Sequence, residues 1–134
     1  MHPDITYSQD VASLETAALE GGFFVGWPAP PSFAKHLAVL RGSYRAIVAL
    51  DGDVVVGFVT AVSDGVATSF IPWLEVLPAY QGRGIGRELL GRMVAELGHL
   101  YSIDLVCDDD VVPFYDGLGW HRASAMLKRN PGAL

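Results

Sequence analysis

The spacing of apolar residues changes several times along this chain, and each change marks an element. Ile5 to Tyr7 predicts a short first strand. Val11, Leu14, Ala18 and Leu19 recur at helical spacing and predict a helix over 11–19, stopped by Gly21-Gly22. Pro28, Pro30 and Pro31 keep Phe23 to Pro31 a loop, because proline lacks the N–H that a helix needs. Ser32 suits the N-cap of a helix over Phe33 to Leu40, broken by Arg41-Gly42-Ser43. Tyr44 to Leu50 and Asp53 to Val62 read as strands joined at the hairpin signal Asp51-Gly52. After the turn Ser63-Asp64-Gly65, a strand is expected over Ala67 to Val76. Pro72 within it implies an edge, a bulge or a splayed point.

Further on, Ile85, Leu89, Leu90, Met93, Val94 and Leu97 form one apolar stripe, so a helix is expected from about Gly84 to Leu97. Glu88 and Arg92 face each other on it as an i,i+4 pair. Tyr101 to Cys107 reads as a strand. Asp108-Asp109-Asp110 offers an N-cap for a short helix over Val111 to Gly117, where Pro113 is tolerated in the first turn. Leu118 to Trp120 and Ala125 to Lys128 are expected to close the sheet. The order of elements predicts a mixed α/β architecture, with no repeat, linker or low-complexity stretch.

At 134 residues the chain suits one domain over 1–134, and a 51% hydrophobic content is enough for a core. The formal charge is −6 and no Lys/Arg cluster appears, which disfavours a nucleic-acid partner. Met1-His2-Pro3-Asp4 does not read as a secretory signal. The longest near-apolar run, Val54 to Val62, falls short of the ~20 residues a membrane span requires. A cytoplasmic protein without a membrane partner is therefore expected. Cys107, the single cysteine, reads as a small buried hydrophobe in a strand. His36, His99 and His121 lack metal-ligand spacing and read as surface or capping residues, so no metal is expected.

The chemistry concentrates in Leu74-Glu75-Val76-Leu77-Pro78-Ala79-Tyr80-Gln81-Gly82-Arg83-Gly84-Ile85-Gly86-Arg87. A strand ends, glycines alternate with other residues, and a helix begins. Such a turn presents bare N–H groups at the positive end of a helix, where an anion, above all a pyrophosphate, is the natural guest. A Walker A loop is excluded, because Gly86 is followed by Arg87 and Glu88 rather than by Lys and Ser or Thr. A dinucleotide fingerprint is disfavoured, because its third glycine would have to stand at Arg87.

This stretch resembles motif A of the GNAT superfamily of N-acetyltransferases, Val-x-Pro-x-x-Gln/Arg-Gly-x-Gly-Ile/Leu-Gly, at Val76, Pro78, Gln81, Gly82, Gly84, Ile85 and Gly86. The resemblance implies the GNAT acyl-CoA N-acyltransferase fold, a mixed, mostly antiparallel sheet flanked by about four helices. It also implies acetyl-CoA as cosubstrate. Its pyrophosphate would lie on the amides of Gly82, Arg83, Gly84, Ile85, Gly86 and Arg87, with Gln81 a further cofactor-binding residue, and its pantetheine arm would lie along Leu74, Glu75 and Val76.

A second resemblance lies in Phe114-Tyr115-Asp116-Gly117-Leu118-Gly119, where the family often carries Phe/Leu-Tyr-x-x-Leu-Gly. It implies Tyr115 as the acid that protonates the leaving thiolate, a role a phenol can fill. The Val76 N–H is the candidate oxyanion donor, and Glu75 the nearest obvious carboxylate for the base. Many relatives carry a glutamate in the next strand, five residues before an asparagine. Here Ile103 and Asp108 stand at those positions, so the base and one cofactor contact depart from the pattern, with Asp108 an N-cap or a pantetheine neighbour. Trp27 and Trp73 are candidates to line an acceptor pocket. The reaction implied is direct attack of an amine, from a small molecule or a peptide, on acetyl-CoA in a ternary complex. The alternative is a non-catalytic acyl-CoA-binding sensor or partner module. Exposed strand edges are compatible with a homodimer.

Overall fold

The computed structural model describes residues 4–19 and 21–134. It contains a six-stranded sheet: β1 (Ile5–Ser8), β2 (Arg45–Asp51), β3 (Val54–Ser63), β4 (Thr68–Ile71), β5 (Leu74–Val76) and β6 (Ser102–Leu105). The order is β1-β2-β3-β4-β6, with β5 also paired to β3. Among the named strands of the described residues, only β4 and β6 pair in parallel, joined through α2 (Ile85–Glu96). The other two helices of the described residues are α1 (Phe33–Gly42) and the short α3 (Val112–Asp116). This is the mixed, mostly antiparallel α/β arrangement that the sequence leads one to expect, and the three α-helices and several 3-10 turns of the described residues are roughly consistent with the expected count of about four helices.

β3 is buried on both faces over Val55, Val56, Phe58, Val59, Thr60 and Ala61, as a central strand covered on either side must be. One face carries α2, whose Ile85, Leu89, Leu90 and Met93 are buried and each contribute about 1.5–3 kcal/mol. Close approach there depends on Gly57. A Cβ at that position would stand 3.1 Å from Leu89 Cδ1, 3.2 Å from the Glu75 carbonyl oxygen and 3.3 Å from Ile85 Cγ2. The opposite face carries α1, capped by the Ser32 hydroxyl accepting from the Lys35 N–H at 3.1 Å. Glu88 and Arg92 form the expected pair at 3.0 Å.

Several expectations are corrected. Residues 11–19 form no α-helix, only a 3-10 turn at Thr16–Ala18. The Arg41 guanidinium takes the carbonyls of Val11, Ala12 and Leu14, which a helix would have used internally. The strand expected over 67–76 is broken at Pro72-Trp73 into β4 and β5, in line with the missing proline N–H. β6 is shorter than expected, and Cys107 lies beyond it, half-buried. The helix expected over 111–117 is a 3-10 turn at Asp109–Val111 continued by α3. Leu118 to Trp120 and Ala125 to Lys128 form no strands. His36 is neither at the surface nor a cap: it is 2% exposed beneath the sheet. No helix among the described residues is long and apolar enough to cross a membrane.

Candidate active site

The break at Pro72-Trp73 opens the sheet. β4 pairs with β6 from Thr68 opposite Ser102 to Ile71 opposite Leu105, and there the pairing stops. β5 pairs only with β3, with Phe58 opposite Glu75. The Trp73 carbonyl accepts from the Thr60 N–H and the Leu77 N–H donates to the Val56 carbonyl, so odd-numbered residues of β5 turn their backbone toward β3. By alternation the N–H groups of Leu74 and Val76 face the open edge. The Val76 carbonyl on that edge accepts from the Gln81 side chain at 3.0 Å.

From β5 the chain makes a 3-10 turn over Pro78–Tyr80 and enters α2 through Gly82 (φ 77°) and Gly84 (φ 82°), both left-handed. Gly84 is the N-cap, and the first helical bond runs from the Glu88 N–H to the Gly84 carbonyl. The amides of residues 82–87 therefore donate to no acceptor among the described residues. Six free donors at a helix start, flanked by the exposed Arg83 and Arg87, form a cradle for an anion. Ile85 offers only its amide, because its side chain is buried against the sheet. The Arg83 guanidinium stacks over the Tyr80 ring at 5.1 Å, and the Tyr80 hydroxyl donates to Asp51.

On the face of β5 away from α2, Glu75 accepts a 2.8 Å hydrogen bond from the Phe24 N–H. Burial holds its carboxyl above the ordinary carboxylate range, and the Phe24 bond offsets part of that rise. Phe24 is the one non-glycine of the described residues with positive φ, at 62°, a strained conformation for an aromatic residue. Its ring meets Trp27 at 4.9 Å and Trp73 at 5.1 Å, and the two tryptophans stand 5.7 Å apart. Glu75, Trp27 and Trp73 thus surround one aromatic cluster. His36 completes it, 4.4 Å from the Phe58 ring. Burial pushes the His36 pKa down from 6.5 to about 4. Its Nε2 and the Thr60 hydroxyl are buried without a hydrogen-bond partner among the described residues.

Sequence reasoning missed Phe24 and His36. The one available signal was Phe23-Phe24 set between glycines in an otherwise proline-rich loop.

Tyr115 belongs to a separate group. It is half-buried on α3, with ring contacts to Phe114 at 5.0 Å and Trp120 at 5.8 Å. Burial, and then the negative charge Cys107 would carry, raise its phenol above the usual value of 10. Both residues line a cavity of about 640 Å³ beside β6. Its ring contacts are with this group and not with the Trp27–Trp73 cluster. Asp108 is exposed and precedes the 3-10 turn that leads to α3, but its side chain makes no cap bond there. Among the described residues no group of three or more His, Cys, Asp or Glu is placed to hold a metal ion.

Comparison with known proteins agrees with this fold. A model of the Acetyltransferase (GNAT) family matches residues 11–120. A candidate acetyltransferase of Deinococcus radiodurans R1, known from a crystal structure, is 44% identical and superposes with a TM-score of 0.92, covering 96% of this chain and 90% of that one. The N-alpha-acetyltransferase RimI of Mycobacterium tuberculosis is 34% identical over 114 residues, 79% of this chain and 70% of that protein. The Histone acetyltransferase TAP1 of Glycine max is 32% identical over 109 residues, 72% of this chain but only 47% of that protein. The chain thus spans about half the length of several curated relatives it matches. With the family model covering most of the sequence and the open strand edge leading into a cradle of free amides, this chain belongs to the GNAT family of acetyltransferases.

Proposed function

We propose that this chain transfers the acetyl group of acetyl-CoA to a primary amine by direct attack in a ternary complex. The observation that carries the reading is the row of unpartnered amides from 82 to 87, which continues from the unpaired edge of Leu74 and Val76. The amides fit a pyrophosphate, and the edge offers donors and acceptors to the amides of a pantetheine arm. Acetyl-CoA supplies an activated acetyl thioester. The chain's own residues do the rest.

Glu75 takes a proton from the amine, directly or through water. Its raised pKa makes it a better proton acceptor than a surface carboxylate. The Val76 N–H donates to the oxygen that gains negative charge, a contribution of about 3 kcal/mol when such a donor is preorganised. Tyr115 gives its proton to the departing sulfur, and its raised pKa keeps the phenol protonated at neutral pH.

The Trp27 and Trp73 rings beside Glu75 suit a cationic amine, which gains cation–π attraction on one side and a carboxylate on the other. The net charge of −6 favours the same class of acceptor. The names of the mycobacterial and soybean relatives support a protein amine, at an N-terminus or a lysine.

The test is thiol release from acetyl-CoA across a panel of peptide and small-molecule amines, with a thermal-shift titration alongside. Release with at least one amine supports the reading. Thermal stabilisation by acetyl-CoA without release from any amine would point to an acyl-CoA sensor, and the absence of both would overturn the cradle itself.

A further inference from the structure

A strained residue holds the centre of the aromatic cluster. Between Gly22 (φ 113°) and Gly26 (φ 84°), Phe24 takes φ 62°, a conformation that glycine adopts without strain. Strain of this kind gathers at ligand-binding positions. The neighbouring Val25 is 74% exposed, whereas Phe24 is 5% exposed and turned inward. The Phe24 ring stands 4.9 Å from Trp27, 5.1 Å from Trp73, 5.1 Å from His36 and 6.0 Å from Phe58. The Trp27 N–H closes the turn by donating to the Phe24 carbonyl at 3.1 Å. The Phe24 N–H donates to Glu75, so the ring is fixed beside the carboxylate.

These spacings leave no passage between the rings. An aliphatic chain lying between two ring faces needs its carbons about 3.5–4 Å from each, and so a separation of about 7 Å. The distances among Phe24, Trp27 and Trp73 run only from 4.9 to 5.7 Å. An amine that reaches Glu75 therefore comes over the half-buried outer rims of Trp27 and Trp73, with the Phe24 ring as the wall behind them. Its nitrogen must also face the opening between β4 and β5. The carbon that bears this nitrogen then has one clear direction, outward along its own chain. A second substituent on that carbon meets the wall at the place the Phe24 ring fills, whereas a hydrogen does not.

We propose that Phe24 occupies what would otherwise be a side-chain subsite, and so restricts the acceptor to a primary amine on a CH2 group. A lysine side chain and an N-terminal glycine meet that condition; an N-terminus that bears a side chain does not. The inference rests on the acetyl transfer proposed above, with Glu75 facing the amine. The names of the mycobacterial and soybean relatives leave both kinds of protein amine open. Phe24 sorts them by the carbon that carries the nitrogen.

Matched peptides test this. One has a blocked N-terminus and a single lysine, and three without lysine begin with Gly, Leu or Phe. In the parent, kcat/KM for the lysine and glycine peptides is expected to exceed that for the leucine and phenylalanine peptides by about 10-fold or more. Phe24→Gly keeps the N–H to Glu75 and holds φ 62° without strain, but removes the ring. In this variant the ratio of the phenylalanine to the glycine peptide should rise by about 10-fold or more. The space opened among Trp27, His36, Phe58 and Trp73 should also take indole, read as a rise in Tm of the variant and none in the parent. A parent that acetylates the leucine or phenylalanine peptide as readily as the glycine peptide overturns the proposal. So does a Phe24→Gly ratio equal to the parent's, or a folded variant that binds no indole. Were the variant to lose its circular-dichroism spectrum, the parent's own ratios would still decide. Transfer to no amine at all overturns the reaction proposed above rather than the placement of the Phe24 ring, which indole binding reads separately.

Discussion

His36 gives the sharpest test of the packing beneath the candidate acceptor face. Its ring is sealed among Phe23, Phe24, Phe58 and Trp73, and its pKa falls from 6.5 to about 4. The unfolded chain therefore takes up the proton first. The neutral ring is accommodated at pH 7, and stability is lost as the pH falls through 6.5 toward 4. That fall is worth about 3 kcal/mol in full, of which about 2 kcal/mol is already lost at pH 5. For a chain of this size that loss lowers Tm by about 6 °C.

The perturbation is His36→Phe, which keeps an aromatic ring in the cluster and removes both the titration and the unpartnered Nε2. Urea denaturation of parent and variant across about pH 7.5 to 4.5 isolates this one group, because the remaining titrations are common to both. The difference in stability should move by about 2 kcal/mol in the variant's favour between pH 7 and 5. Parallel profiles would refute the reasoning, as would a His36 ring resonance in the parent that titrates near pH 6.5.

Four further outcomes are expected from the same geometry. Tyr115→Phe should lower kcat by about 10²–10⁴-fold and leave KM for acetyl-CoA nearly unchanged, since it removes a proton donor and little binding surface; steady-state kinetics decide it, and an unchanged kcat would remove Tyr115 from the reaction. Glu75→Gln keeps an oxygen for the Phe24 N–H but cannot take a proton. Its kcat should fall by about 10²-fold or more, and the acidic limb of the rate–pH profile, displaced upward by burial, should disappear. Gly84→Ala meets no atom within 4 Å, yet it must hold φ 82°, so denaturation should read a loss of about 1–2 kcal/mol together with weaker acetyl-CoA binding by calorimetry. Gly57→Ala sets a Cβ against the rigid Glu75 carbonyl and should cost about 1–3 kcal/mol in denaturant without altering the chemistry of the loop.

Local patterns in the sequence reached far into the fold. Ser32 caps α1, Asp51-Gly52 turns the β2–β3 hairpin, and one apolar stripe buries α2, because each depends on residues within a turn or two of one another. The strand–glycine–helix junction at 74–87 was legible for the same reason: its alternating glycines permit the left-handed backbone seen at Gly82 and Gly84. That an edge opens beside it was implied only in outline by Pro72.

Tertiary contacts decided the rest. Residues 11–19 have the spacing of a helix, but Arg41 from a distant helix takes their carbonyls. His36 carries no mark of burial in its own neighbourhood. Phe58 and Trp73, 22 and 37 positions away along the chain, enclose it. Glu75 was identified as a carboxylate in the right strand, but burial raised its pKa, and its carboxylate accepts from the Phe24 N–H of a strained loop 51 residues earlier, which offsets part of that rise. The segment expected to complete the sheet has strand-like residues and no strand, because hydrogen-bond partners belong to whichever edge comes within reach, and its own β6 does not. Sequence alone determined the elements whose partners lie close along the chain; distant neighbours determined which groups are desolvated, strained or left unpaired, since those states depend on what the fold brings together.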